Sequence, residues 1–116
     1  MPAIQRINIG PRMSDVVVHN GVAYLAGKVP SKGITGVADQ TRDVLATIDR
    51  LLSQAGTGKD RILRAEIFLA NIKDFEEMNK VWDAWVPAGA TPARATVEAK
   101  LANPDNLVEV VVTAAV

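Results

Sequence analysis

Ser14-Asp15-Val16-Val17-Val18-His19-Asn20-Gly21-Val22-Ala23-Tyr24-Leu25-Ala26-Gly27 reads as two β-prone runs around an Asn-Gly pair. Both central residues of a two-residue hairpin turn need positive φ, and Asn-Gly meets that need at low steric cost. The stretch predicts a hairpin over 14–27, and residues 3–8 are a candidate for one more short strand beside it.

Downstream, Gly33 and Gly36 break the chain before Val37, Val44, Leu45, Ile48, Leu51, Leu52 and Ala55. That spacing marks one face of an amphipathic helix, with Thr35 the expected cap and Gly56 the expected stop. Residues 61–71, with Ile62, Ile67, Phe68 and Leu69 near the middle, predict a strand. Phe75, Met78, Trp82, Trp85 and Val86 then recur at helical spacing until Pro87 and Gly89 end the helix. Two strands, 94–100 and 107–114, close the chain around the turn Asn103-Pro104-Asp105-Asn106. The order is ββ(β)αβαββ, and 116 residues make one domain, 1–116. The expected fold is α+β, a mixed sheet with two helices packed on one face. The runs Val16-Val17-Val18 and Val110-Val111-Val112 place apolar side chains on both faces. Nothing else in the chain is left to cover the second face, so other copies of the chain are expected to bury it.

Thirteen Lys and Arg balance thirteen Asp and Glu, which gives no net field toward nucleic acid or an anionic membrane. The absence of cysteine excludes disulfides, thiolate nucleophiles and cysteine-ligated zinc together. The opening MPAIQRINIG lacks a leader pattern and no run approaches membrane-spanning length, so a soluble, cytoplasmic protein is expected. His19 stands alone, without companions for a metal site, and is expected at the surface. Gly56-Thr57-Gly58-Lys59 follows a helix rather than a strand, which marks a helix stop and not a phosphate loop. Trp82 and Trp85 at a spacing of three read as core packing.

Two residues stand out for chemistry. Glu109 interrupts a run of valines, where burial would disfavour its charge unless a cation or several donors stabilise it. The residues alone leave two readings equal: a carboxylate that orients or deprotonates water, and a structural ion pair with Arg94 or Lys100. Arg94 follows Thr91-Pro92-Ala93, where a turn would aim it at the rim of the sheet. Its guanidinium fork matches the two oxygens of a small carboxylate, and the competing reading is a solvated strand-end arginine.

The stretch PARATVEAKLANPDNLVEV (92–110), together with IGPRMSDVVVHNGVAYLAGKVP (9–30) and DFEEMNKVWDAW (74–85), resembles the RidA family of reactive intermediate deaminases, also called YjgF-like proteins. The resemblance spans nearly the whole chain, and its most specific part is a Pro-Ala-Arg start with a glutamate fifteen residues after the arginine. It implies a chorismate-mutase-like fold and a homotrimer with clefts at the subunit contacts. It implies cofactor-free hydrolysis of 2-enamino and 2-imino acids to 2-keto acids and ammonia. Arg94 would bind the carboxylate of the substrate, Glu109 would position or activate water, and Gly27 and Asn79 would face the ligand.

This chain departs from better-known members at Arg12, where a tyrosine is usual, at Ala26, where a serine is frequent, and at Thr96, where a cysteine is frequent. The anchor and the water-handling residue are kept, while Arg12 and Thr96 alter the wall of the pocket. Arg12 would favour a second acidic group on the ligand if it reaches the cleft. Two rival readings remain. One is a tautomerase using an N-terminal Pro2 as base after removal of Met1. The other is a noncatalytic trimer of the same fold that binds small metabolites or a protein partner, since fold alone does not dictate reaction.

Overall fold

The structure, a computed structural model, describes residues 3–116; Pro2, the base of the tautomerase reading, lies outside the described residues. Asn20 and Gly21 take φ values of 51° and 76°, the signature of the type I′ turn. This turn joins strands β2 (Ser14–His19) and β3 (Val22–Leu25). The N-terminal run forms β1 (Gln5–Ile9), antiparallel to β2. Helix α1 (Val37–Gln54), strand β4 (Ile62–Leu69), helix α2 (Phe75–Trp85) and strands β5 (Ala93–Glu98) and β6 (Val108–Ala115) follow, in the order expected.

The six strands form one mixed sheet in the order β1-β2-β3-β6-β4-β5. The last strand is inserted at the centre, antiparallel to both β3 and β4, while β4 and β5 are parallel. In β6, Val108, Val110, Val112 and Ala114 are buried, and Glu109, Val111, Thr113 and Ala115 are half-buried. The buried set joins the core formed with Val44, Leu45, Ile48, Leu51 and Leu52 of α1 and Met78 and Trp82 of α2. Both helices therefore cover one face. By register, Tyr24, Val111, Phe68 and Val97 lie on the other face, where Tyr24 is 51% and Val97 47% exposed. No element of the described chain covers them.

Two local details differ from expectation. The cap of α1 falls on Gly36, not Thr35, with no side-chain cap; Gly36 turns the chain through φ 82°, a conformation a threonine would resist. His19 is half-buried with an unpartnered Nδ1, because it lies in β2 opposite Val22 and not in the turn itself. The other end of α1 is as expected. The Gly56 amide donates to the Ser53 carbonyl at 3.0 Å and the Thr57 amide to that of Leu52 at 2.9 Å, a Schellman stop with Gly56 at φ 80°. Gly56→Ala forces a Cβ into that left-handed conformation. Urea unfolding should show a lower midpoint at unchanged slope, corresponding to a loss of about 1 kcal/mol.

Candidate functional site

The site is built from two halves on opposite faces of the sheet. The first is set by a bulge. Tyr24 faces Thr113 and Lys28 faces Val110, so residues 25–27 oppose only 111–112. An extra residue in one strand breaks the ladder and re-aims its neighbours. The Gly27 amide makes no hydrogen bond among the described residues, whereas Lys28 exchanges both backbone hydrogen bonds with Val110, at 2.9 and 3.0 Å. Glu109 lies directly over Gly27. A Cβ at position 27 would fall on the place its carboxylate now takes, so any other residue there would make the acid swing aside. Glu109 is half-buried, not sealed as its valine neighbours suggested, because strand alternation puts it on the uncovered face. Among the described residues it forms no ion pair, with Arg94, Lys100 or any other cation, which removes the structural ion-pair reading within one chain.

Two groups of contacts unforeseen from sequence, one centred on Asp15 and one on Gln40, hold this half in place. Lys28 Nζ donates to Asp15 Oδ1 at 2.5 Å, tying the bulge back to β2, and Asn8 Nδ2 donates to Asp15 Oδ2 at 3.0 Å. Gln40, buried in α1, donates from Nε2 to the carbonyls of Ile34 and Asp105 and accepts from the Leu107 amide at 2.7 Å. It thereby fixes the chain just before β6. A glutamine on the apolar stripe of α1 was the available signal for it. Arg12 is exposed in the turn between β1 and β2, at the end of the sheet where the Asp15 carbonyl accepts from the Ala26 amide.

The second half sits on the edge strand β5. Arg94 pairs with Ala65 and Thr96 with Ile67, both buried, so Arg94 and Thr96 point to the helix side. The Arg94 guanidinium lies over two rings of α2, 5.3 Å from the centroid of Trp82 and 5.9 Å from that of Phe75. This is not the solvated strand-end arginine of the bland reading. Asn79, on the same helix, leaves its buried Oδ1 without a partner, and Thr96 does the same with Oγ1. Buried polar atoms are usually satisfied, so two orphans near a free guanidinium point to a ligand or to a group from another chain. Trp82 is core, as expected; Trp85 is half-buried and donates from its indole to Asp49 at 2.9 Å.

Within one chain the halves do not meet. Arg94 aligns through Ala65 with Val112, three residues from Glu109 and two strands away. Strand spacing and rise place their Cα atoms roughly 14 Å apart, with side chains on opposite faces. A small acid cannot touch both groups of one chain.

A family model described as Endoribonuclease L-PSP matches residues 4–116. A RutC family protein of Haemophilus influenzae is 50% identical over 96% of this chain and 97% of its own length. The RutC family protein YoaB of Escherichia coli is 49% identical over 97% of this chain and 98% of its own. A crystal structure of a YjgF-family protein from Neisseria meningitidis superposes with a TM-score of 0.94 at 50% identity, covering 97% of this chain and 94% of that one. The chain belongs to the RidA/YjgF family, also called the RutC family.

The Asp15–Lys28 pair makes a prediction about pH. The Lys28 hydrogen bond chiefly holds the Asp15 carboxyl below its ordinary value; burial opposes it, and Asn8 and the charges of Lys28 and Arg50 assist. A folded-state pKa below the unfolded one gives stability that is complete above the unfolded value and fades as pH falls through the folded one. With Asp15 about a third exposed, Asp15→Asn should cost about 1 kcal/mol at pH 7. Denaturation at a series of pH values should show the gap from wild type shrinking below about pH 4.

Proposed function

We propose that this protein hydrolyses 2-enamino and 2-imino acids to 2-keto acids and ammonia, in clefts formed between the subunits of a homotrimer. One observation carries the reading: a free guanidinium and an unpaired carboxylate lie on opposite faces of a sheet whose second face is uncovered. A neighbouring copy whose β5 edge laps over that face would bring its own Arg94 to the Glu109 and Gly27 of the first. Burial of Tyr24, Val97 and their neighbours would drive the assembly.

In such a cleft Arg94 grips the substrate carboxylate bidentately, which fixes the distance and angle of the reacting carbon. The enamine takes a proton from solvent at its β-carbon to become the iminium ion. Water adds to the iminium carbon while Glu109 accepts one of its protons and passes it to nitrogen; the C–N bond then breaks, ammonia leaves, and the remaining hydroxyl proton returns to solvent as the 2-keto acid forms. The unpartnered Gly27 amide is a donor on the Glu109 side, and Thr96 and Asn79 offer polar atoms on the Arg94 side. Such imines already hydrolyse in water, so a modest lowering of the barrier by a sparse site suffices. The endoribonuclease named in the family description gains no support from a chain with balanced charge and a single histidine.

The test generates imino acids with an amino-acid oxidase and traps the unhydrolysed fraction with semicarbazide. The protein should reduce trapping, and Arg94→Ala or Glu109→Gln should each restore it. Mixed trimers of the two single variants should recover part of the activity, since some clefts then draw both groups from intact positions, while the double variant should recover none. A monomer in sedimentation, or mixed oligomers without recovery, would overturn the composite site. The departures at Arg12, Ala26 and Thr96 favour one second reading, a noncatalytic binder; pyruvate binding with unchanged trapping would establish it. We further expect Arg12→Ala to lower the rate on diacidic imines more than on monoacidic ones, and an unchanged ratio would remove Arg12 from the cleft.

A further inference from the structure

We infer that Phe75 and Trp82 are positioning residues that hold the Arg94 guanidinium ready for a carboxylate, an inference that rests on the role proposed above for Arg94. An arginine on an edge strand has several free torsions, and unless something holds it, binding must order it at an entropic cost. Two other arginines meet acids, Arg42 contacting Asp39 at 2.7 Å and Arg64 lying 4.0 Å from Glu66, while Arg6, Arg12, Arg50 and Arg61 have no ion pair among the described residues. Arg94 has no ion pair and no side-chain hydrogen bond among the described residues, yet its guanidinium lies within 6 Å of two ring centroids.

The chemical distinction matters. An acidic partner would hold Arg94 by consuming the N–H donors and the charge that a ligand needs. Aromatic rings hold the cation through their π faces and leave those donors free. The support is also stiff. Trp82 is only 5% exposed and locked in the core, and Phe75 opens α2 about two turns away on the same face. Asn79 lies between them in sequence, four residues after Phe75 and three before Trp82, so its unpartnered Oδ1 belongs to the same face. The rings, the guanidinium and that orphan atom form one preset anchor whose donors are taken up by no other group among the described residues.

The test compares Phe75→Leu, which keeps apolar volume but loses the π face, with Phe75→Tyr, which keeps both; Trp82→Phe serves as the second conservative variant. NMR of the ligand-free protein should show the Arg94 Nε–Hε group ordered and its Hδ protons shifted upfield by ring currents. Phe75→Leu should move both toward the values of exposed arginines, while Phe75→Tyr and Trp82→Phe stay near wild type. Pyruvate should bind the leucine variant roughly three- to tenfold more weakly, the range for loss of one cation–π contact. On imino acids KM should rise by a similar factor with kcat changed less than about twofold. A lower melting temperature with unchanged pyruvate affinity would assign Phe75 to packing alone and overturn the inference. Failure of the wild type to bind pyruvate would instead sink the proposed function, and the ligand-free spectra would still decide whether the rings hold the guanidinium.

Discussion

Strand β6 has to alternate. Val108, Val110, Val112 and Ala114 are drawn into the core beneath the two helices, and a strand sends each intervening side chain to the opposite face. Glu109 is therefore committed to the uncovered side by the burial of its neighbours, with no contact of its own required. A register slip of one residue would drive this carboxylate into the core and four valine or alanine side chains out of it, so the hydrophobic effect itself guards the placement. The central position of β6 between β3 and β4 then sets what lies beside the acid: the bulge at residues 25–27, with a glycine where a Cβ would push the carboxylate from its present place.

The same alternation, carried across the sheet, sends Arg94 the other way. It shares a face with Ala65 and so meets α2, not Glu109. The residues best suited to chemistry are thus separated by the sheet that supports them. The same chain leaves one apolar face bare and three buried polar atoms unpaired among the described residues. These features would be costly in an isolated monomer, and they make sense together if the working unit is larger than one chain.

Much of this was legible in advance. The Asn20-Gly21 turn, the helical stripe from Val37 to Leu52, the Gly56 stop and the closing pair of strands all follow from local rules that act over a few residues. The motif around Arg94 and Glu109 pointed to the family that the relatives bear out. Less visible were contacts that depend on residues distant in sequence: Lys28 with Asp15, Gln40 with the chain before β6, and Arg94 with Phe75 and Trp82. Trp82 reads as plain core from its spacing, and only the parallel pairing of β5 with β4 reveals that its ring also faces a cation.

The amino-acid sequence by itself determined the elements and their order, because turn chemistry and hydrophobic period are properties of neighbours along the chain, and it singled out Arg94 and Glu109 as the candidates for chemistry. Tertiary structure alone decided that those side chains stand on opposite faces, roughly 14 Å apart, one over a glycine bulge and the other over two rings. Facing and distance depend on strand order and register, and these are set by the packing of the whole core rather than by any local run of residues.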